Sequence, residues 1–299
     1  MKVLVTGAWR CTQEQLNELE KLGHNFVFMQ NEKDALPCGY EDVEAVICNG
    51  LFLYHPIEKF KSLRYIQLTS AGFDRIPLDY VNSRGIEIHN ARGVYSIPMA
   101  EFAVSGVLEI YKQLRFFLDN QKKRIWEKHR GVLELYGKTV LIIGCGSVGT
   151  ECAKRFSAFG CRVIGADLYP SENVYYEKIY SMSDIDASLF EADVVVLTLP
   201  LTSETRHMMN KERFAAMKDK SVLINIARGA VIENEALAQA LDEKLLGAVL
   251  DVFEEEPLPE ENALWLKDNV IITPHNSFVG NGNAERLWRV IYDNLEKLL

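Results

Sequence analysis

Residues 138–167 read KTVLIIGCGSVGTECAKRFSAFGCRVIGAD, and they decide the fold. The run Val140-Leu141-Ile142-Ile143 is short, apolar and largely branched, the pattern of a strand buried on both faces of a parallel sheet. Gly144, Gly146 and Gly149 follow it at once, in the spacing G-x-G-x-x-G. The first glycine permits a tight turn, the second lets a pyrophosphate approach bare backbone, and the third lets a helix starting near Ser147 pack on the strand. That helix would point its N-terminal N–H groups at the phosphates. Gly160 closes the helix, residues 162–166 form the next strand, and Asp167 stands eighteen residues after Gly149, where a carboxylate can accept from ribose hydroxyls. Strand, turn, helix and acid together predict a dinucleotide-binding unit.

The 299 residues suggest two domains of ordinary size. With 48% hydrophobic residues, 25% charged residues and a formal net charge of −9, the chain reads as globular and soluble, and a nucleic-acid partner is disfavoured. Cysteines at 11, 38, 48, 145, 152 and 161 form no CxxC pair, which fits reduced thiols in the cytoplasm. The opening MKVLVTGAW reads as a strand, not a signal peptide, and no apolar run is long enough for a membrane span. No metal-ligand spacing such as HExxH occurs.

Upstream, strands are predicted at residues 2–6, 26–29, 45–48, 65–68 and 86–89, alternating with helical segments, which implies a second parallel sheet. Thr12 with Gln15 resembles a capping box before a helix whose apolar face is Leu16, Leu19 and Leu22. The segment from Thr69 to Asp74 is then a turn at a strand's C-terminal end, the ligand side of such sheets. Residues 97–122 read as one long, largely apolar helix with Pro98 in its first turn, followed by a polar, basic arm bearing Trp126. Further strands are expected at 194–199, 222–226, 248–252 and 270–273, and a last helix at 283–298 with Ala284, Leu287, Ile291, Leu295 and Leu298 on one face, folding back on the first domain.

Three side chains stand just past the ends of these strands. Arg228 lies in INIARGAVIENEAL, Glu256 in LDVFEEEPLP and His275 in VIITPHNS. A guanidinium, a carboxylate and an imidazole at one edge of one sheet can meet in one crevice. Taken singly, each has a plainer account as a surface arginine, a solvated acidic run and a loop histidine.

The motifs ELYGKTVLIIGCGSVGTECAKRFSAFGCRVIGAD, LTLPLTSETRHMMN, SVLINIARGAVIENEAL, LGAVLDVFEEEPLP and NVIITPH, in this order, resemble the D-isomer-specific 2-hydroxyacid dehydrogenases. The likeness is dense from Tyr136 to His275, and looser in LRYIQLTSAGFDRIPLD and NARGVYSIPMAEFAV. It implies an α/β fold of two Rossmann-like or flavodoxin-like domains with parallel sheets, the coenzyme domain (99–276) inserted in the substrate domain (1–98 and 277–299). It also implies an active site in the cleft between them and a homodimer formed through the coenzyme domain. By the same resemblance His275 is the acid/base, Glu256 its carboxylate partner, and Arg228 the group that binds and polarises a 2-oxo acid. Ser70, Ala71 and Gly72 would hold the substrate carboxylate. The cofactor would be NAD: Ser147 and Val148 at the pyrophosphate, Asp167 at the ribose, Leu199, Pro200 and Thr205 along the adenosine, and Ile226, Ala227, Arg228, Asp251 and His275 toward the nicotinamide.

The chain departs from the family pattern after His275, where Asn276-Ser277-Phe278-Val279 replaces an apolar residue and small ones, and at Met99, where valine is usual. Glu256 argues against formate as substrate, since the formate-oxidising relatives carry glutamine there. Leu51 to Tyr54 resembles the wall that meets the substrate's side chain, and its apolar character points to an uncharged R group. The competing reading is an NAD-sensing corepressor of the same superfamily, against which the intact Arg228, Glu256 and His275 speak.

Overall fold

A computed structural model describes residues 1–298; residue 299, the last of the expected substrate domain, lies outside them. The chain divides into two compact units, residues 1–95 with the segment from Gly280 onward, and residues 96–279.

The first unit is a five-stranded parallel sheet: β1 (Lys2–Thr6), β2 (Asn25–Met29), β3 (Ala45–Cys48), β4 (Tyr65–Leu68) and β5 (Glu87–His89), in the order β2-β1-β3-β4-β5. That is the flavodoxin-like winding, with its switch point at β1 and β3. Helix α1 (Gln13–Lys21) carries the predicted capping box: Thr12 Oγ1 accepts from Gln15 N, and Gln15 Oε1 accepts from Thr12 N. Successive residues of β1 serve opposite faces, Leu4 packing with Val46, Ile66 and Leu68, and Val3 and Val5 with Ile47, Leu287 and Ile291. The closing helix, Asn283–Glu296, thus belongs to this unit's core, and Leu287, Ile291 and Leu295 are its buried stripe.

The second unit opens with helix α3 (Ser96–Tyr111), after the short α2 (Leu78–Ser83) of the first. The expected continuous helix is broken here. Gln113 turns left-handed at φ 55°, its N–H and Nε2 both returning to the carbonyl of Ile110, and α4 (Leu114–Lys123) starts anew. No proline or glycine marks the break, and apolar periodicity runs across it. Environment separates the two: α3 is packed in the unit's core, whereas α4 leaves Leu114 and Leu118 exposed.

Seven parallel strands follow: β6 (Thr139–Ile143), β7 (Arg162–Asp167), β8 (Lys178–Ser181), β9 (Val194–Leu197), β10 (Val222–Asn225), β11 (Gly247–Leu250) and β12 (Val270–Ile272). Their order, β12-β11-β10-β9-β6-β7-β8, is the doubly wound one with the switch point between β6 and β9. Helices α5 (Ser147–Ala158), α6 (Ile185–Glu191), α7 (Lys211–Ala216) and α8 (Asn234–Glu243) connect them. Leu141 and Ile143 pack into the core on one face, Val140 and Ile142 into that on the other. The edge strand β8 is absent from the sequence expectation, because Lys-Ile-Tyr-Ser is short and only half-buried.

Asp193 ties the N-terminal ends of three strands. Its carboxylate accepts from Thr139 N at 2.9 Å and Lys218 Nζ at 2.7 Å, and its backbone bonds Thr139 and Val222. Burial works to raise its pKa, but the Lys218 ammonium and the Thr139 N–H outweigh burial and leave the carboxyl below its ordinary value. A depressed folded-state pKa contributes stability above the unfolded value, lost as pH falls through the folded one. Asp193→Ala should therefore lower stability at pH 7 by about 1–2 kcal/mol. In denaturant titrations the gap between parent and variant should narrow as pH falls below the ordinary aspartate range and through the depressed folded-state value.

Candidate active site

Parallel pairing sets Asn225 beside Leu250 and Leu250 beside Ile272, so β10, β11 and β12 end side by side. Arg228, Glu256 and His275 all follow those ends. His275 Nδ1 lies 2.9 Å from Glu256 Oε2, and both side chains are about 40% exposed (42% and 37%). Glu256 Oε1 accepts from Phe253 N at 3.0 Å, which fixes the carboxylate from behind. With Nδ1 bonded to the carboxylate, Nε2 is the nitrogen left to exchange a proton with a ligand.

Arg228 comes from a turn braced by Asn225, whose Oδ1 accepts from Ala227 N at 3.0 Å and whose Nδ2 donates to Arg228 O at 3.0 Å. The guanidinium donates from Nη1 to Ala227 O at 2.7 Å. Only glycine fits next. A Cβ on Gly229 would stand 1.8 Å from the carbonyl carbon of Phe253 and 2.2 Å from Glu254 N. Backbone contact therefore presses the Arg228 turn against the segment that leads to Glu256.

The acidic run 254–256 is split by the fold. Glu254 bonds Arg206 at 3.0 Å, His207 at 3.1 Å and Asn234 at 3.3 Å, whereas Glu256 serves His275. Nothing in the letters EEE separates the two roles.

At the switch point the glycine turn takes the predicted form. Gly144 has φ +95°, and a Cβ there would meet Leu199 N at 2.7 Å; a Cβ on Gly149 would meet Gly144 O at 2.2 Å. Gly146 is exposed, and nothing lies within 4 Å of where its Cβ would be. Gly146 is also the N-cap of α5 and offers no side chain to the first N–H groups, so the donors of Ser147 and Val148 fit an anion. Asp167 ends β7 with Oδ2 accepting from Cys145 N at 2.7 Å and Oδ1 from Tyr169 N at 2.9 Å, which leaves lone pairs for hydroxyl donors. The turn fits a dinucleotide.

Other expected residues prove to be scaffold as much as surface. Leu199, Ile226 and Ala227 are buried, and the buried Thr205 braces its turn, accepting from Thr202 N and donating to Pro200 O at 2.7 Å each. Asp251 is wholly buried, its carboxylate taken up by Thr273, Asn276 and Ser277. In the first unit, the carbonyls of Ser70, Ala71 and Gly72 accept from Ala91 N, Asn90 Nδ2 and Ser70 Oγ, while their N–H groups have no partner among the described residues. Leu51 is buried, whereas Leu53 and Tyr54 are exposed.

Sequence reasoning missed Thr273 and Asn225, and named Phe278 only as part of the departure from the family pattern after His275. The first two are polar residues at strand ends, a signal that could have been read. Phe278 stands edge to face with His275, ring centroids 6.0 Å apart. Among the described residues no group of three His, Cys, Asp or Glu could hold a metal, and no helix is long and apolar enough to cross a membrane.

Residues 104–277 match the family model described as D-isomer specific 2-hydroxyacid dehydrogenase, NAD binding domain. The chain is 33% identical over its whole length to D-3-phosphoglycerate dehydrogenase of Methanocaldococcus jannaschii, of which it spans only 57%. It is 35% identical to glyoxylate reductase of Thermofilum pendens over 82% of this chain and 72% of that one. Among solved structures, D-lactate dehydrogenase of Aquifex aeolicus, complexed with NAD and lactic acid, superposes with a TM-score of 0.78 at 29% identity, covering 99% of this chain and 95% of that one. With the doubly wound sheet, the glycine turn and the strand-end residues in place, the chain belongs to the D-isomer-specific 2-hydroxyacid dehydrogenase family, NAD-binding oxidoreductases that interconvert 2-oxo acids and D-2-hydroxy acids.

Proposed function

We propose that this protein reduces a small 2-oxo acid to the D-2-hydroxy acid with NADH, His275 giving the proton and Arg228 polarising the carbonyl. The single observation that carries the reading is the pairing of His275 Nδ1 with Glu256 Oε2 at 2.9 Å, beside the Arg228 turn. NAD, when bound, supplies or accepts the hydride at C2. Gly144, Gly146, Ser147, Val148, Gly149 and Asp167 would hold it.

As negative charge grows on the carbonyl oxygen, the Arg228 guanidinium acts on the transition state more than on the ground state. His275 donates a proton from Nε2 to that oxygen, and Glu256, bonded to Nδ1, keeps the ring in the donating orientation and offsets its charge. In the reverse direction the same nitrogen takes the proton back. To the backbone of Ser70, Ala71 and Gly72 we assign the substrate carboxylate, on their unpartnered N–H groups and the resemblance of that loop. Units 96–279 and 1–95 with the closing segment are our coenzyme and substrate domains.

We also propose a cytoplasmic homodimer. The six unpaired cysteines support the compartment. The exposed apolar side chains of Leu114, Leu118, Ile125, Trp126 and Tyr136 support association of the second unit with its copy.

Steady oxidation of NADH with glyoxylate or hydroxypyruvate tests the activity; no turnover across a panel of 2-oxo acids would sink it. His275→Ala should lower kcat by about 10²–10⁴-fold. Adding Glu256→Gln to that variant should cost little more, since groups acting as one unit are not additive. Arg228→Ala should raise KM and lower kcat together, and Arg228→Lys, lacking the planar fork, should restore only part.

Asp167 sets the cofactor preference in this reading. A unit charge about 4 Å from a 2′-phosphate repels it by roughly 1–4 kcal/mol at dielectrics from 80 down to 20. NADH should exceed NADPH in kcat/KM by about tenfold or more, and the ratio should shrink in Asp167→Ala. The ratio cancels any general loosening of the turn, because both cofactors share it.

A further inference from the structure

We infer that Asp251 and Thr273 form a clamp that sets the conformation of His275, which makes them positioning residues for the reaction; the inference rests on the functional reading above. Asp251 follows β11 directly and is completely buried. Four hydrogen bonds from the histidine loop end on this one residue. Its backbone carbonyl accepts from His275 N at 2.8 Å. Its Oδ1 accepts from Thr273 Oγ1 at 2.6 Å and from Asn276 N at 2.7 Å, and its Oδ2 accepts from Ser277 N at 3.0 Å.

His275 sits at φ +50°, in the left-handed region that residues with a Cβ rarely adopt. Such a conformation persists only where the surroundings impose it. The N–H groups of His275, Asn276 and Ser277 all converge on Asp251, and that convergence requires the loop to curl at His275. The imidazole is thus fixed at both ends, its backbone by Asp251 and its ring by Glu256.

The clamp reaches the arginine as well. Asp251 N donates to Asn225 O at 3.0 Å, and the side chain of Asn225 braces the Arg228 turn. One residue therefore couples the position of the proton donor to that of the cation. A carboxylate suits this task because both oxygens only accept; an amide would turn an N–H toward one of the three donors. Thr273 contributes the side-chain donor to the set, and Ser can supply the same hydroxyl where Val cannot.

The alternative is that Asp251 acts on the cofactor directly, as the family resemblance implies. The two accounts part on what a loosened clamp changes. A loop that holds His275 wrongly lowers kcat and leaves cofactor affinity alone, because misplacement of a reacting group by about 1 Å costs on the order of 10²-fold in rate. A lost cofactor contact weakens NADH binding first.

The test compares Thr273→Val, Thr273→Ser and Asp251→Asn with the parent, reading glyoxylate reduction, NADH affinity by fluorescence, and the His275 ring resonance in protein labelled with 13C at histidine Cε1. Thr273→Val should lower kcat by about tenfold with the NADH Kd unchanged within about twofold, and Thr273→Ser should recover most of the rate. The His275 resonance, assigned by its loss in His275→Ala, should be single in the parent and shifted or split in Thr273→Val. Asp251→Asn should cost more than Thr273→Val; if that variant does not fold, Thr273→Val with its Ser rescue decides alone. Parental kcat and an unmoved His275 resonance in Thr273→Val would overturn the clamp, as would a weakened NADH Kd with unchanged kcat. A parent that reduces no 2-oxo acid would instead overturn the functional reading, while the ring resonance, which needs no turnover, would still report on the clamp.

Discussion

Parallel pairing of β10, β11 and β12, with Asn225, Leu250 and Ile272 abreast, is the constraint on which the candidate site depends. In a parallel sheet every strand runs the same way, so every C-terminal end and the loop after it open on one edge. Residues 228, 256 and 275 are apart in the chain and come to one edge of the sheet only through this geometry. The strands are fixed in turn by burial on both faces, since Leu223, Ala248 and Leu250 fill one core while Val222, Ile224 and Val249 fill the other. A slip of one residue would exchange the two sets.

At that edge the sheet's hydrogen bonding stops and side chains take it over. Asn225 and Asp251 stand at the ends of β10 and β11, and their side chains bond backbone groups of strand-end loops, Asn225 in the loop after β10 and Asp251 in the loop after β12. Buried polar groups must be paired, and here the pairing orders loops that have no regular structure of their own. Tight backbone approach at Gly229 adds a steric condition to the polar one. The groups to which we assign the chemistry, Arg228, Glu256 and His275, are exposed or half-exposed, and buried ones place them.

Much of this was legible in the sequence because it is local. The glycine turn follows from residues 140–149 alone, since chain direction, missing Cβ atoms and helix start are all properties of neighbours. Capping at Thr12 and the apolar stripe Leu287, Ile291, Leu295 are local in the same sense. The break at Gln113 was not legible, for no proline or glycine marks it and its cause is a change from a packed to an exposed environment. Strand β8 was hidden because an edge strand needs apolar residues on fewer sides.

By itself the sequence determined two parallel α/β sheets, the nucleotide turn, and which strand ends carry an arginine, a glutamate and a histidine. The family resemblance named Glu256 of the run 254–256 as the partner of the imidazole, but only the tertiary structure shows why, because Glu254 is drawn off by Arg206 and His207 and Glu256 is not. Tertiary structure alone decided that Asp251 is buried among backbone donors rather than open to solvent. The physical reason is the same in both cases. Which groups a side chain bonds depends on which groups the fold brings within about 3 Å of it, and those partners lie many residues away in the chain.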